Sequence, residues 1–406
     1  MTPPRPLRIA AIAPVRFPIR QPHAGGVESA LWNEVATLRS RGHRVDLIAP
    51  RGSDFMAGGP RAYVLPPVEW ADDEIAADDT YPRGYLDRAL PDLDAALDRV
   101  RRHAADYDVV VNHCLHGLPL ERAGSLGVPV VSTLHTPVIP ELVAADAASD
   151  GGRSSYLSVS RHTAGEWASA GVDSVVLPNG VDADLWPLGR GGAGLVWFGR
   201  LVPEKGTHLA LEVARLLDLP LTIVGRIGDQ AYFDRAVAPG LDDRIRYVGP
   251  LAQPELADLV GRSACSLVTP VWDEPFGLVA PEALMTGTPV AAHDVGGLTE
   301  IARGTTGMTT VPHDDPRALA EAARRLIAAS RRPGGREAIR AGAVARFSLE
   351  TRIDRLETVL REAVRKAADR RPPVSDDARD ADGLGADGLG DDALGAGRSD
   401  RPEVAA

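Results

Sequence analysis

The chain has 406 residues, of which 44% are hydrophobic and 25% charged, and carries a formal net charge of −11. That length accommodates two or three domains with sizeable cores, and that charge argues against a polyanion binder such as a nucleic-acid protein. Two cysteines, Cys114 and Cys265, exclude a disulfide scaffold and fit a reduced, cytoplasmic setting. No run of about 18 apolar residues is available to span a membrane, although peripheral membrane contact stays open.

Leu7–Ala13 reads as a buried first strand rather than the apolar centre of a signal peptide. Val27, Leu31, Val35 and Leu38 then follow helical spacing over 27–41, with Gly42 as a stop, and Arg44–Ala49 is the next strand. Further strands are expected at Asp108–Asn112, Val128–Leu134, Tyr156–Ser160 and Ser174–Leu177. Residues 184–194, rich in Gly and Pro, read as a linker. The pattern restarts with strands at Gly194–Phe198, Leu221–Val224, Ile245–Val248, Ala264–Val268 and Pro289–His293, and helices at 207–217, 254–262 and 316–330. Strands alternating with helices predict two doubly wound parallel sheets in series, which place a ligand cleft at the carboxyl ends of their strands. The expected domains are 1–183 and 190–347, with an amphipathic helix at 348–367 returning to the first. From Arg371 the text turns to Asp, Gly, Ala and Pro with a net charge of −5, and should be a disordered acidic tail.

Three motifs carry chemistry. Gly25-Gly26-Val27-Glu28 opens a helix after the first strand, where free N–H groups and a positive partial charge suit a diphosphate. Arg200 and Lys205, in Gly199-Arg200-Leu201-Val202-Pro203-Glu204-Lys205-Gly206, could grip that diphosphate together and stabilise it as it departs. Only two of the 45 basic residues are lysines, Lys205 and Lys366, which marks Lys205 as chosen for its own chemistry. Glu274 and Glu282 stand eight residues apart in Glu274-Pro275-Phe276-Gly277-Leu278-Val279-Ala280-Pro281-Glu282, one on a loop and one at a helix start, and either can accept hydrogen bonds from sugar hydroxyls. A zinc reading of His113, Cys114, His116 and His135 has no matching spacing, and a strand would point His113 and Cys114 to opposite faces. Paired aspartates occur at Asp72-Asp73, Asp78-Asp79 and Asp376-Asp377, none placed to hold a divalent ion on a diphosphate.

These motifs, in this order and together with Pro178-Asn179-Gly180-Val181-Asp182 and Arg41-Gly42-His43-Arg44-Val45, resemble the retaining GT-B glycosyltransferases of family 4 over residues 7–367. The resemblance implies two Rossmann-like domains facing a central cleft. It also implies transfer of a hexose from a nucleotide diphosphate sugar, UDP-sugar first and GDP-sugar second, to an acceptor hydroxyl, with no metal or other cofactor. Gly25 and Gly26 would contact the diphosphate, and Arg200 and Lys205 its phosphates. Glu274 would hold sugar hydroxyls and Glu282 the ribose, with Phe276, Gly277 and Leu278 lining the donor site. His135, at the end of a strand, looks like the family's active-site histidine. The acceptor would bind over 51–105 and 136–153, where Trp70, Tyr81 and Tyr85 fit a small polar or glycan-like molecule. A nucleotide-sugar epimerase and a non-catalytic binding protein of the same fold are the alternatives.

Overall fold

The computed structural model describes residues 5–71, 73–76, 80–149, 154–313 and 315–369. Each apolar run becomes a strand, and each amphipathic run becomes a crossover that returns the chain to the same edge. The first half forms a seven-stranded sheet from β1 (Arg8–Ile12), β2 (Arg44–Pro50), β3 (Val64–Leu65), β4 (Val109–Asn112), β5 (Val130–Leu134), β6 (Ser154–Ser158) and β7 (Val175–Val176), in the order β3-β2-β1-β4-β5-β6-β7. The second half forms a six-stranded sheet from β8 (Leu195–Phe198), β9 (Leu221–Val224), β10 (Ile245–Tyr247), β11 (Cys265–Val268), β12 (Val290–His293) and β13 (Met308–Val311), in the order β10-β9-β8-β11-β12-β13. Every pairing is parallel. Both sheets belong to one contact unit that ends at Ala368.

Because successive side chains alternate across a strand, each sheet feeds two cores. Ile9, Ala11, Val109 and Val111 pack on one face of the first sheet, and Ala10, Ile12 and Val110 on the other. The second sheet divides likewise, with Val196 and Phe198 opposite Leu195 and Trp197. Burial on both faces is why these strands read as continuous apolar runs.

The structure departs from the sequence reading in places. β6 lies two residues earlier than expected, because Ser160 leaves the strand to cap the helix Arg161–Ser169, its Oγ accepting from the Thr163 amide at 3.0 Å. Residues 184–194 do not hang free: Trp186 is buried, the Gly189 and Gly191 amides donate to the second half, and the Gly189 carbonyl accepts from Arg336. The helices Tyr85–Arg102, which contains Pro91, and Gly335–Phe347, and the strand β13, carried no expectation. The acidic tail, with Asp376-Asp377, and residues Asp72, Asp78 and Asp79 lie outside the described residues. Among the described residues no helix is long and apolar enough to cross a membrane.

The last helix, Leu349–Asp369, returns to the first half. Its Leu349, Ile353, Leu356 and Leu360 are buried in the same core as Leu7 and Ile9. Fully burying four such side chains contributes about 1.5–3 kcal/mol each, comparable with a whole domain's stability of about 5–15 kcal/mol. Ending the chain at Ser348 should therefore yield insoluble protein or one without a cooperative melt; a soluble, fully active product would show the helix to be dispensable.

Candidate active site

In each sheet the strand order reverses beside the first strand, so the loops after β1 and β4, and after β8 and β11, diverge and leave a crevice. In the second half two loops close on each other there. Gly206 follows a short turn at Pro203–Lys205 with φ +63°, and a Cβ on it would lie 2.0 Å from the Thr269 carbonyl oxygen. Only glycine permits that approach. It brings Lys205 Nζ to 2.6 Å from Glu274 Oε2, to which the Trp272 indole also donates at 3.1 Å. The ammonium lies 4.6 Å from the Trp272 ring centroid. From behind, Gly296 and Gly297 fit against the Glu274 backbone, with the Gly297 amide 2.7 Å from the Glu274 carbonyl.

Arg200, immediately after β8, is buried; its guanidinium donates to the Ala76 carbonyl of the first half and lies 3.8 Å from Glu204. Glu282 is the fourth residue of the helix Val279–Met285 and is also buried. Its carboxyl has no hydrogen bond among the described residues, and burial pushes it up to about 8. From the first half come Gly25, the N-cap of the helix Gly26–Ser40, and Gly26, whose Cβ position would face Leu278 Cδ1 of the second half at 3.6 Å. His135 follows β5. All ten residues expected in the catalytic and donor sites line one cleft between the halves, whereas Trp70, Tyr81 and Tyr85 do not.

The zinc reading fails on geometry. His113 Nδ1 and His135 Nε2 bond to each other at 2.8 Å, His116 lies 3.4 Å from Glu141, and Cys114 is buried in the opposite core, where burial pushes its thiol up to about 12. Among the described residues one group has metal-like spacing, His162, Glu166 and Asp273, with ligand atoms within 4.8 Å at the cleft rim. It includes neither Glu274 nor Glu282, and neither Arg200 nor Lys205. His162 Nε2 stands 3.6 Å from Glu166 on the same helix and 3.9 Å from Asp273 of the second half.

Several residues of the cleft escaped the sequence. Arg226 follows β9 as Arg200 follows β8. Burial first, and the neighbouring Arg200 second, lower its guanidinium to about 10, and it stacks 4.5 Å from the Phe17 ring of the first half. Position at a strand end was the available signal. Trp272 had one too, two residues before Glu274. Glu34 and His113, described below, lie behind the cleft; His113 follows β4 as Arg226 follows β9, but the sequence weighed it only as a zinc ligand.

Glu282 makes stability depend on pH. The native carboxyl keeps its proton up to about pH 8, whereas the unfolded one releases it near 4.5, so between these values folding takes up a proton and stability falls as pH rises. Glu282→Gln cannot titrate. Its melting temperature should exceed that of the native chain by a margin that widens to several degrees between about pH 5 and about pH 8; a margin independent of pH would contradict the assignment.

Comparison with known proteins agrees with this architecture. The family described as Glycosyltransferase Family 4 matches residues 24–185, and that described as Glycosyl transferases group 1 matches residues 192–329. A D-inositol 3-phosphate glycosyltransferase of Catenulispora acidiphila is 30% identical over 88% of this chain and 96% of its own. A phosphatidyl-myo-inositol mannosyltransferase of Mycobacterium leprae is 30% identical over 78% of this chain and 86% of its own. The same fold occurs in a sucrose-phosphate synthase of Thermosynechococcus elongatus, with a TM-score of 0.68 at 19% identity over 88% of this chain and 98% of that one. It occurs also in Anabaena HepE, solved with UDP-glucose, with a TM-score of 0.62 at 21% identity over 88% and 100%. The chain belongs to the GT-B glycosyltransferases of the group 1 and family 4 type, and is a transferase enzyme.

Proposed function

We propose that the enzyme transfers a hexose from a nucleoside diphosphate sugar to an acceptor hydroxyl with retention of anomeric configuration and without a divalent metal. The observation that carries this reading is the meeting, in one cleft, of a glycine-opened helix N-terminus, Arg200 and Lys205 with Glu274 and Glu282. Gly26 and the two cations suit the diphosphate, Glu274 the sugar hydroxyls and Glu282 the ribose. Fixed cations on the phosphates supply the charge stabilisation a metal would otherwise give. UDP-sugar is the first candidate donor, supported by HepE, a fold relative solved with UDP-glucose; GDP-sugar is the second.

Lys205 pairs with Glu274. When a donor enters, the ammonium exchanges that carboxylate for a phosphate oxygen, and Glu274 turns to the sugar. The bond between the anomeric carbon and the phosphate oxygen breaks. The acceptor oxygen bonds to the anomeric carbon on the same face, and its proton passes to the departing phosphate. Retention follows from support concentrated on the leaving group, without a base assigned to the opposite face. An epimerase of the same fold would consume donor without an acceptor and release an isomeric sugar, which product analysis separates.

Lys205→Ala should lower turnover at least about tenfold, the loss expected when a cation leaves a departing phosphate; native turnover in the variant would remove Lys205 from the chemistry. With an α-configured donor, the anomeric coupling in the proton spectrum should report an α-linked product, in equal yield with and without EDTA. A β-linkage would overturn the mechanism, and loss of activity to chelator that magnesium or manganese restores would overturn metal independence.

A further inference from the structure

Behind His135 three buried side chains form a line that leads away from the cleft. His135 Nε2 lies 2.8 Å from His113 Nδ1, His113 Nε2 lies 3.2 Å from Glu34 Oε1, and Arg352 Nη1 donates to Glu34 Oε2 at 2.7 Å. The two imidazole rings are 27° from coplanar with centroids 5.1 Å apart, as an edge-to-edge hydrogen bond requires. The Glu34, His113 and Arg352 side chains are 2%, 1% and 5% exposed, so water does not complete any of these contacts. Glu34 comes from the helix Gly26–Ser40 and Arg352 from the returning helix Leu349–Asp369.

Charge and hydrogen count fix where the protons lie. The Arg352 guanidinium at 2.7 Å keeps Glu34 a carboxylate in this dry site, so it can only accept. Arg352 already balances that charge. A second cation on His113 would leave surplus charge in a dry site, at a cost the fold has no partner to offset. A neutral imidazole has one proton, and the carboxylate takes it at His113 Nε2. His113 Nδ1 is then an acceptor and must be met by a proton on His135 Nε2. Burial lowers His135 well below its ordinary value, so it too is neutral. Its Nδ1, which has no hydrogen bond among the described residues, is left as a bare acceptor on a residue that lines the cleft.

We propose that Arg352, Glu34 and His113 are positioning residues that lock His135 in its Nε2–H tautomer, so that it offers the bound sugar a hydrogen-bond acceptor and not a donor. The returning helix thereby reaches the active site through Arg352 as well as through the apolar core. This inference rests on the reading of His135 as a residue of the donor-sugar site, and its tests separate the two.

Long-range proton–nitrogen correlation on the full chain labelled with nitrogen-15 histidine reads the tautomers directly. The expected result is a proton on Nε2 of both His113 and His135; a proton on His135 Nδ1 would overturn the proposal by itself. The double variant Glu34→Gln/Arg352→Met removes both charges at once and so leaves no unpaired ion. It should lower kcat at least about tenfold and mix the His135 tautomers while UDP binds within about twofold of its native Kd. Arg352→Lys keeps a cation on Glu34 and should retain the native tautomer with kcat within about threefold. A double variant with native kcat and native tautomer would overturn the relay, and if it fails to fold the native tautomer decides. Loss of UDP binding by the native chain would count against the donor reading and leave the relay standing.

Discussion

Parallel strands can be joined only through crossovers that return the chain to its starting edge, so every strand of a parallel sheet delivers its carboxyl-terminal loop to the same side. Both sheets of this enzyme obey that constraint, and the cleft is its consequence. Where the order reverses, β8 beside β11 and β1 beside β4, neighbouring loops part instead of crowding, and the space between them is open to a ligand. Arg200 and Lys205 follow β8, Glu274 follows β11, the Gly25-Gly26 helix start follows β1, and His113 follows β4.

Two cations of the cleft have partners within the protein. Lys205 rests on Glu274 and over Trp272, and Arg200 bonds to a carbonyl of the opposite half. A partly desolvated cation left without a partner costs several kcal/mol, whereas exchanging one anion for another costs much less. Glu282 has no such partner among the described residues, and burial keeps it protonated.

Not every signal in the sequence meant what it suggested. The scarcity of lysine singled out Lys205, which does occupy the cleft, but the other lysine, Lys366, makes an exposed pair with Glu362 one helical turn away. Scarcity alone therefore does not mark function; position after β8 does. The strand at Tyr156–Ser160 was misplaced because Ser160 serves equally well as a strand residue and as a helix cap, and the helix that it caps decides between them. The helix Tyr85–Arg102 went unread because Pro91 falls inside it.

The sequence by itself determined the alternation of strand and helix, and with it two parallel sheets. It also determined the local motifs, since Gly25-Gly26, Arg200 to Lys205 and Glu274 to Glu282 each span only a few residues and take their geometry from one strand-to-helix turn. Tertiary structure alone decided what those groups touch. Lys205 and Glu274 are 69 positions apart, His113 and His135 are 22, and Glu34 and Arg352 are 318. Such pairs meet only when crossovers, helix packing and the returning helix are all in place. The buried state of Glu282 and the tautomer of His135 are likewise products of the assembled protein, because the cost of burying a charge depends on how much water the packing removes and on which neighbours it leaves.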